Sequence, residues 1–406
     1  MPIARPLSQR VLRSVLPAAL GAAVLACSAA TAAVPERPRT GPGATAVAAR
    51  ADGSGHAATL AAMRRIVASG VPGALAEVRE GNRSWYGAAG TADVTRPRLP
   101  RPGDRFRIGE STELFVATAV LQLEAEGRLG LDDTVEHWLP GLVTGHGHDG
   151  GRITVRQLLG HTSGIFDYTR DAGFDRRFRG REFTRHRYDV HTPRELVRTA
   201  MAHAPRFAPG SGWGHSHTDY VLAGMIVEKA AGRPYAKEIE ERILVPLGLR
   251  STTLPGGEVT VPAPSSRGYG AVHGAGAQQP DDVTEFSSTA LGAAGEMISS
   301  AGDLDVFLRA LLGGHLLPAR QSAEMLTTVA TGTDGIAQGL GIVERRLSCG
   351  TTVRGGTGSV PGAVSLVFAT AGAEHTASFD LNSSAPAAGN TLLLEAEFCG
   401  RSTAAQ

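Results

Sequence analysis

The chain is poor in the groups that carry out acyl transfer and rich in one other combination. Of its 40 cationic residues only Lys229 and Lys237 are lysines, and Ile226 and Pro234 stand three residues before them. No Ser-x-x-Lys therefore exists, nor any Gly-x-Ser-x-Gly turn that would expose a nucleophilic serine. The alternative material is acid and imidazole. Glu110 and Glu113 open a long helical pattern and share one helical face. His215 and His217 lie two apart, so in an extended segment both point to the same side. Two carboxylates facing two imidazoles form either a neutralised hydrogen-bonded cluster, with the histidine pKa values raised by the acids, or a site for Zn, Mn or Fe. The polar cluster without metal is the expectation, so no cofactor is required. His146-Gly147-His148-Asp149 is a second polar patch, expected to be solvent-exposed in its Gly-rich loop.

The elements that must position these groups can be read from composition and periodicity. At 406 residues, 42% hydrophobic and a net charge of +1, the chain is neither disordered nor basic enough for a nucleic-acid binder. Arg5, Arg10 and Arg13 precede an uncharged stretch ending in Ala30-Thr31-Ala32, the layout of a secretory signal peptide over 1–32. The protein is therefore expected to be secreted, touching membrane only through that segment if it is not cleaved. Residues 33–55 read as a disordered leader, 56–400 as the folded domain and 401–406 as a tail. No later run approaches 18 apolar residues. Cys349 and Cys399 then remain, to be paired as exported cysteines usually are, or buried as free thiols.

Helical spacing marks Ala57–Ser69, Thr112–Glu126, Val155–Gly160, Pro193–His203, Tyr220–Ala231, Ala236–Leu244, Asp303–Leu312, Pro318–Thr328 and Thr391–Cys399. Strand-like runs lie at Gly73–Arg79 and Arg83–Gly90, and again at Gly339–Arg345, Thr351–Arg354, Ala363–Ala369 and His375–Asp380. Strands at both ends with helices between predict one sheet from about 56–109 and 295–400, with a helical region inserted over about 110–294. Arg170–Arg187, with seven arginines and three acids, reads as a solvated, mobile loop.

Several segments together resemble the serine β-lactamase and D-alanyl-D-alanine carboxypeptidase superfamily, in its actinobacterial carboxypeptidase-like branch. They are Phe106-Arg107-Ile108-Gly109, Leu121-Gln122-Leu123-Glu124-Ala125-Glu126-Gly127, Gly160-His161-Thr162-Ser163-Gly164, Asp219-Tyr220-Val221-Leu222-Ala223-Gly224, Gly358-Ser359-Val360-Pro361-Gly362 and Glu397-Phe398-Cys399-Gly400. The resemblance implies an α/β (α+β) fold, an antiparallel sheet flanked by helices with an all-helical region, and a Cys349–Cys399 bridge. It also implies Ser-x-x-Lys at the start of the long helix, where this chain has Glu110-Ser111-Thr112-Glu113. The family's Tyr-x-Asn after a Trp aligns with His215-Ser216-His217 after Trp213, and its His or Lys before Thr-Gly aligns with Gly356 before Thr357-Gly358.

All five acyl-transfer side chains are thus replaced, and the family arrangement would bring Glu110, Glu113, His215 and His217 together at the cleft floor. The expectation is an exported pseudoenzyme that binds a cell-wall peptide, or a small amide or ester, through Trp213, Thr357 and Gly358. The alternative is an active hydrolase: a carboxypeptidase, esterase or β-lactamase-like enzyme, or one working through a remodelled Glu/His site that holds a metal.

Overall fold

The computed structural model describes residues 55–270, 280–384 and 387–400. The expected signal peptide, nearly all of the leader and the tail lie outside them. The chain enters through helix α1 (Ala57–Ala68), whose buried Thr59, Ala62, Met63 and Ile66 recur at helical spacing. A hairpin follows, β1 (Gly73–Glu80) and β2 (Arg83–Gly90), in register through Glu77 opposite Tyr86.

The central helix α2 (Thr112–Ala125) is buried on almost every side, as a helix apolar all round must be. Beyond it come α3 (Pro193–Met201), begun by a Thr192–Glu195 capping box with proline in its first turn, and α4 (His217–Ala231), ended by Gly232 in the left-handed conformation. Helix α5 (Ala301–Leu312) leads back to strands β3 (Val329–Ala330), β4 (Ile336–Gln338), β5 (Val343–Arg346), β6 (Thr352–Val360), β7 (Ala363–Thr370) and β8 (His375–Leu381). Helix α6 (Ala387–Cys399) is the last described element.

The eight strands form one antiparallel sheet in the order β2-β1-β8-β7-β6-β5-β4-β3. One face packs Leu366, Phe368 and Phe379 against Met63 and Ile66 of α1 and Leu393 and Leu394 of α6. The other packs Leu75 and Val367 into the larger core with Phe115 of α2 and Phe307 of α5. Both faces being covered explains why β7 is an almost unbroken apolar run rather than an alternating one.

Three local expectations are corrected. The Arg170–Arg187 segment is not a loop: it forms helices Ala172–Phe178 and Phe183–His186, because Phe174, Phe178 and Phe183 turn into the core while the arginines stay outside. His148 is buried rather than exposed, its Nε2 3.1 Å from the His203 carbonyl. Helix α4 begins at His217, three residues before its apolar pattern. Cys349 and Cys399 are joined, with Cα atoms 5.8 Å apart, which ties the β5–β6 turn to the end of α6.

Candidate active site

A one-turn 3-10 helix, Gly109–Ser111, precedes α2 and carries Glu110. Strand β6 runs against it at backbone distance: a Cβ on Gly358 would lie 1.8 Å from the Ile108 carbonyl oxygen, so only glycine permits the approach. That contact aims the Ser359 N–H at Glu110, donating to Oε2 at 2.5 Å. Ser111 points the other way. It has no exposed surface, and its Oγ sits 3.1 Å from Ser365 Oγ, which in turn donates to the Ile108 carbonyl. The hydroxyl nearest to the family's nucleophile position is therefore sealed in the core. A side chain at Gly356 would meet Leu114 Cδ1 at 2.8 Å, so the position of the family's cation is filled from α2.

Glu110 Oε1 lies 2.9 Å from His217 Nε2, and His217 Nδ1 lies 3.2 Å from Asp167 Oδ2. Asp167 is fixed in turn by the backbone N–H and hydroxyl of Thr169. In the first turn of α2, Glu113 Oε2 is 3.2 Å from His161 Nε2, and Glu113 Oε1 is 3.3 Å from His215 Nε2. His161 Nδ1 lies 3.0 Å from Asp219 Oδ2, while Ser163 donates to the other oxygen of Asp219 at 2.5 Å. The rings of His161 and His215 are 4.5 Å apart, and those of His215 and His217 4.9 Å apart and nearly perpendicular. His215 is about one-third exposed (35%), whereas His161 is sealed. The site thus opens on the His215 side.

Burial and pairing compete throughout this cluster. For His217, burial opposes the charged form, but Asp167 and Glu110 overcome it and push the pKa up to about 10. His161 is likewise opposed by burial and raised by Glu113 and Asp219 to about 9. Burial would raise Glu113; His161 and His215 reverse this and hold it at about 2. Glu110 and Asp167 also end below their ordinary values once His217 outweighs burial, whereas burial keeps Asp219 above its own. At neutral pH His217 is a cation at the N-terminus of α4, where the helix dipole disfavours it. The acids on either side of its ring hold it there.

The four groups singled out in the sequence all reach this cleft, but not one common point. Glu110 pairs with His217, and Glu113 with His215, in two adjoining networks. Glu110 belongs to neither set of groups that could share a cation among the described residues; those sets are Glu113, His161 and His215, and Asp167, His215 and His217. His161, Ser163, Asp167 and Asp219 had no assigned role. His161 and Asp219 lie 58 residues apart, and no spacing rule links them. The available signal was polar residues inside segments that otherwise bury apolar ones.

Of the expected ligand contacts, Thr357 Oγ1 and Trp213 Nε1 are buried without a hydrogen-bond partner among the described residues, and Gly358 is used in packing against the Gly109–Ser111 turn. A cavity of about 360 Å³ adjoins Glu110 through Ser359, Val360 and Pro361, with Phe178, Arg179 and Phe183 on its far wall.

The β-lactamase family model matches residues 44–391. A D-stereospecific amidohydrolase from Streptomyces sp. superimposes with a TM-score of 0.81 at 47% identity, covering 86% of this chain and 100% of that one. Penicillin-binding protein 4* of Bacillus subtilis is 31% identical over 44% of this chain and 37% of its own length. Esterase EstB of Burkholderia gladioli is 36% identical over 44% of this chain and 46% of its own. The chain thus spans less than half the length of these two curated relatives. The family match over most of the chain, the antiparallel sheet between helical layers and the shared architecture have one explanation: this protein belongs to the β-lactamase family, within the superfamily of serine β-lactamases and penicillin-binding proteins.

Proposed function

We propose that the chain is an amide or ester hydrolase in which water, rather than a serine hydroxyl, attacks the carbonyl. The observation that carries this reading is the carboxylate of Glu110. It stands where the family places its nucleophile, held between His217 Nε2 and the N–H of Ser359, a residue that lines the cavity. Likeness to an amidohydrolase that is D-stereospecific by name supports amides of D-residues as substrates, wall peptides among them. The basic, Ala-rich segment 1–32 supports action outside the cell.

In the reaction R–CO–NH–R′ + H₂O → R–COO⁻ + R′–NH₃⁺, Glu110 takes a proton from water as the oxygen joins the carbonyl carbon. The C–N bond then breaks, and that proton passes to the leaving amine. His217 Nε2 and the Ser359 N–H both meet Glu110 and hold the base in place, and the positive charge of the imidazolium beside it offsets the negative charge that develops on the carbonyl oxygen. Asp167 keeps the His217 ring oriented.

Binding without turnover is the second reading. It is favoured by the pairing of Glu110, whose two oxygens are both engaged inside the protein. A chromogenic D-phenylalanine anilide and p-nitrophenyl acetate decide between them. Hydrolysis above background is expected, with kcat/KM falling roughly 100-fold or more in Glu110→Gln, the scale of a lost general base. A fluorescent penicillin should leave no covalent label. A labelled serine would overturn the water mechanism, and saturable wall-peptide binding with no turnover would establish the binder instead.

A further inference from the structure

The structure assigns a divalent-cation site to Glu113, His161 and His215, of the kind that takes Zn²⁺ or another borderline transition ion. The inference deepens the hydrolytic reading and depends on it for its role, but the site stands on its own geometry.

The first observation is spacing. A tetrahedral ion with metal–nitrogen and metal–oxygen distances of about 2.1 Å sets its ligand atoms about 3.4 Å apart. His161 Nε2 lies 3.2 Å from Glu113 Oε2 and His215 Nε2 lies 3.3 Å from Oε1, so the two rings flank one carboxylate, each at a different oxygen. One ligand atom from each of the three residues falls within a mutual 4.8 Å.

The second is orientation. Glu113 Oε1 is buried and meets no donor at full hydrogen-bond geometry, with His215 Nε2 3.3 Å away, so this oxygen keeps a lone pair free for a cation.

The third is support behind the ligands. The far nitrogen of His161 meets Asp219, itself fixed by Ser163, which is the carboxylate–histidine arrangement that orients a metal-bound imidazole. His161 is also held in the left-handed region at φ +55°, a conformation that costs an ordinary residue about 1 kcal/mol or more and points to a positional requirement.

Charge agrees. Four carboxylates face three imidazoles across the two networks, so negative charge remains even with every ring protonated. Two imidazoles among three ligands select zinc-like ions over Mg²⁺ or Ca²⁺, which prefer all-oxygen sites. Three protein ligands leave a fourth corner, and His215, the exposed member, places it on the open side. Water bound there would be acidified, which is the chemistry such an ion would lend to the hydrolytic reading.

The test uses the full chain, stripped with chelator and titrated with Zn²⁺ by calorimetry, with Co²⁺ absorption reporting coordination. Saturable binding is expected, with the visible spectrum of four-coordinate cobalt. His161→Ala and His215→Ala should each weaken binding at least 100-fold, and Asp219→Asn 10- to 100-fold. His146→Ala, remote from the cluster, should stay within threefold. If His161→Ala does not fold, the partly exposed His215→Ala carries the test. Absence of saturable binding, or His215→Ala binding as tightly as the unaltered chain, overturns the site. Binding without turnover would sink the hydrolase reading and leave the site standing; turnover that survives chelation would keep the hydrolase reading and overturn the ion's part in it.

Discussion

Glu397 ties α6 to α1 and β8, and its contribution can be worked out. Its carboxylate, with no exposed surface, lies 2.8 Å from His375 Nε2 of β8 and 3.0 Å from His56 Nδ1, and accepts from Thr59 Oγ1 of α1 at 2.6 Å. Burial alone would raise its pKa, but these partners hold it at about 2, against an ordinary 4.5. At about 1.36 kcal/mol per pH unit, that interval corresponds to roughly 3 kcal/mol. Because the folded-state value is depressed, the stabilisation is complete above pH 4.5 and is lost as pH falls through 2. Glu397→Gln should therefore be about 3 kcal/mol less stable at pH 7. For the roughly 350 residues from 55 to 400, at about 2 cal/mol/K each, this is a Tm lowered by about 4 °C. Denaturant unfolding of both proteins at pH 7, 5 and 3 measures the difference, which should shrink over the acid end of that range. A gap that stays constant from pH 7 to 3, or one below 0.5 kcal/mol at pH 7, refutes the assignment of this stability to the ionised clamp.

Three further outcomes are expected. Ser111→Ala should leave kcat/KM for the D-phenylalanine anilide within about threefold, since that hydroxyl is sealed against Ser365; abolished turnover would restore a serine mechanism. Gly358→Ala should lose about 3 kcal/mol or more in denaturant unfolding, because a Cβ there meets the Ile108 carbonyl at 1.8 Å and no side chain can yield. Replacing Cys349 and Cys399 together by serine opens a loop of 50 residues and should cost about 4 kcal/mol in the chain-entropy account, measured as a lowered denaturation midpoint.

The alternating and helical periods along the chain determined the elements, because a covered face must be apolar at the spacing of its own backbone. The strand Arg83–Gly90 falls where its pattern placed it, and α2 runs to within a residue of its expected end. The Arg-rich segment was misread because charge density outweighed Phe174 and Phe178, four residues apart on one helix, and Phe183 at the start of the next. Glu110, Glu113, His215 and His217 were legible because they occupy positions where the family keeps other side chains.

What the sequence could not decide was their partners. Glu110 and Glu113 are one helical turn apart, yet they belong to different networks, because Glu110 sits on a 3-10 turn against β6 and Glu113 on α2 facing the His161 loop. His161, Asp167 and Asp219 enter only through the packing of α4 across the Val155–Leu159 helix, where Tyr220 bonds the Leu159 carbonyl. Residue types state which chemistry is possible. Which atoms come within 3 Å depends on long-range packing, and no local period records it.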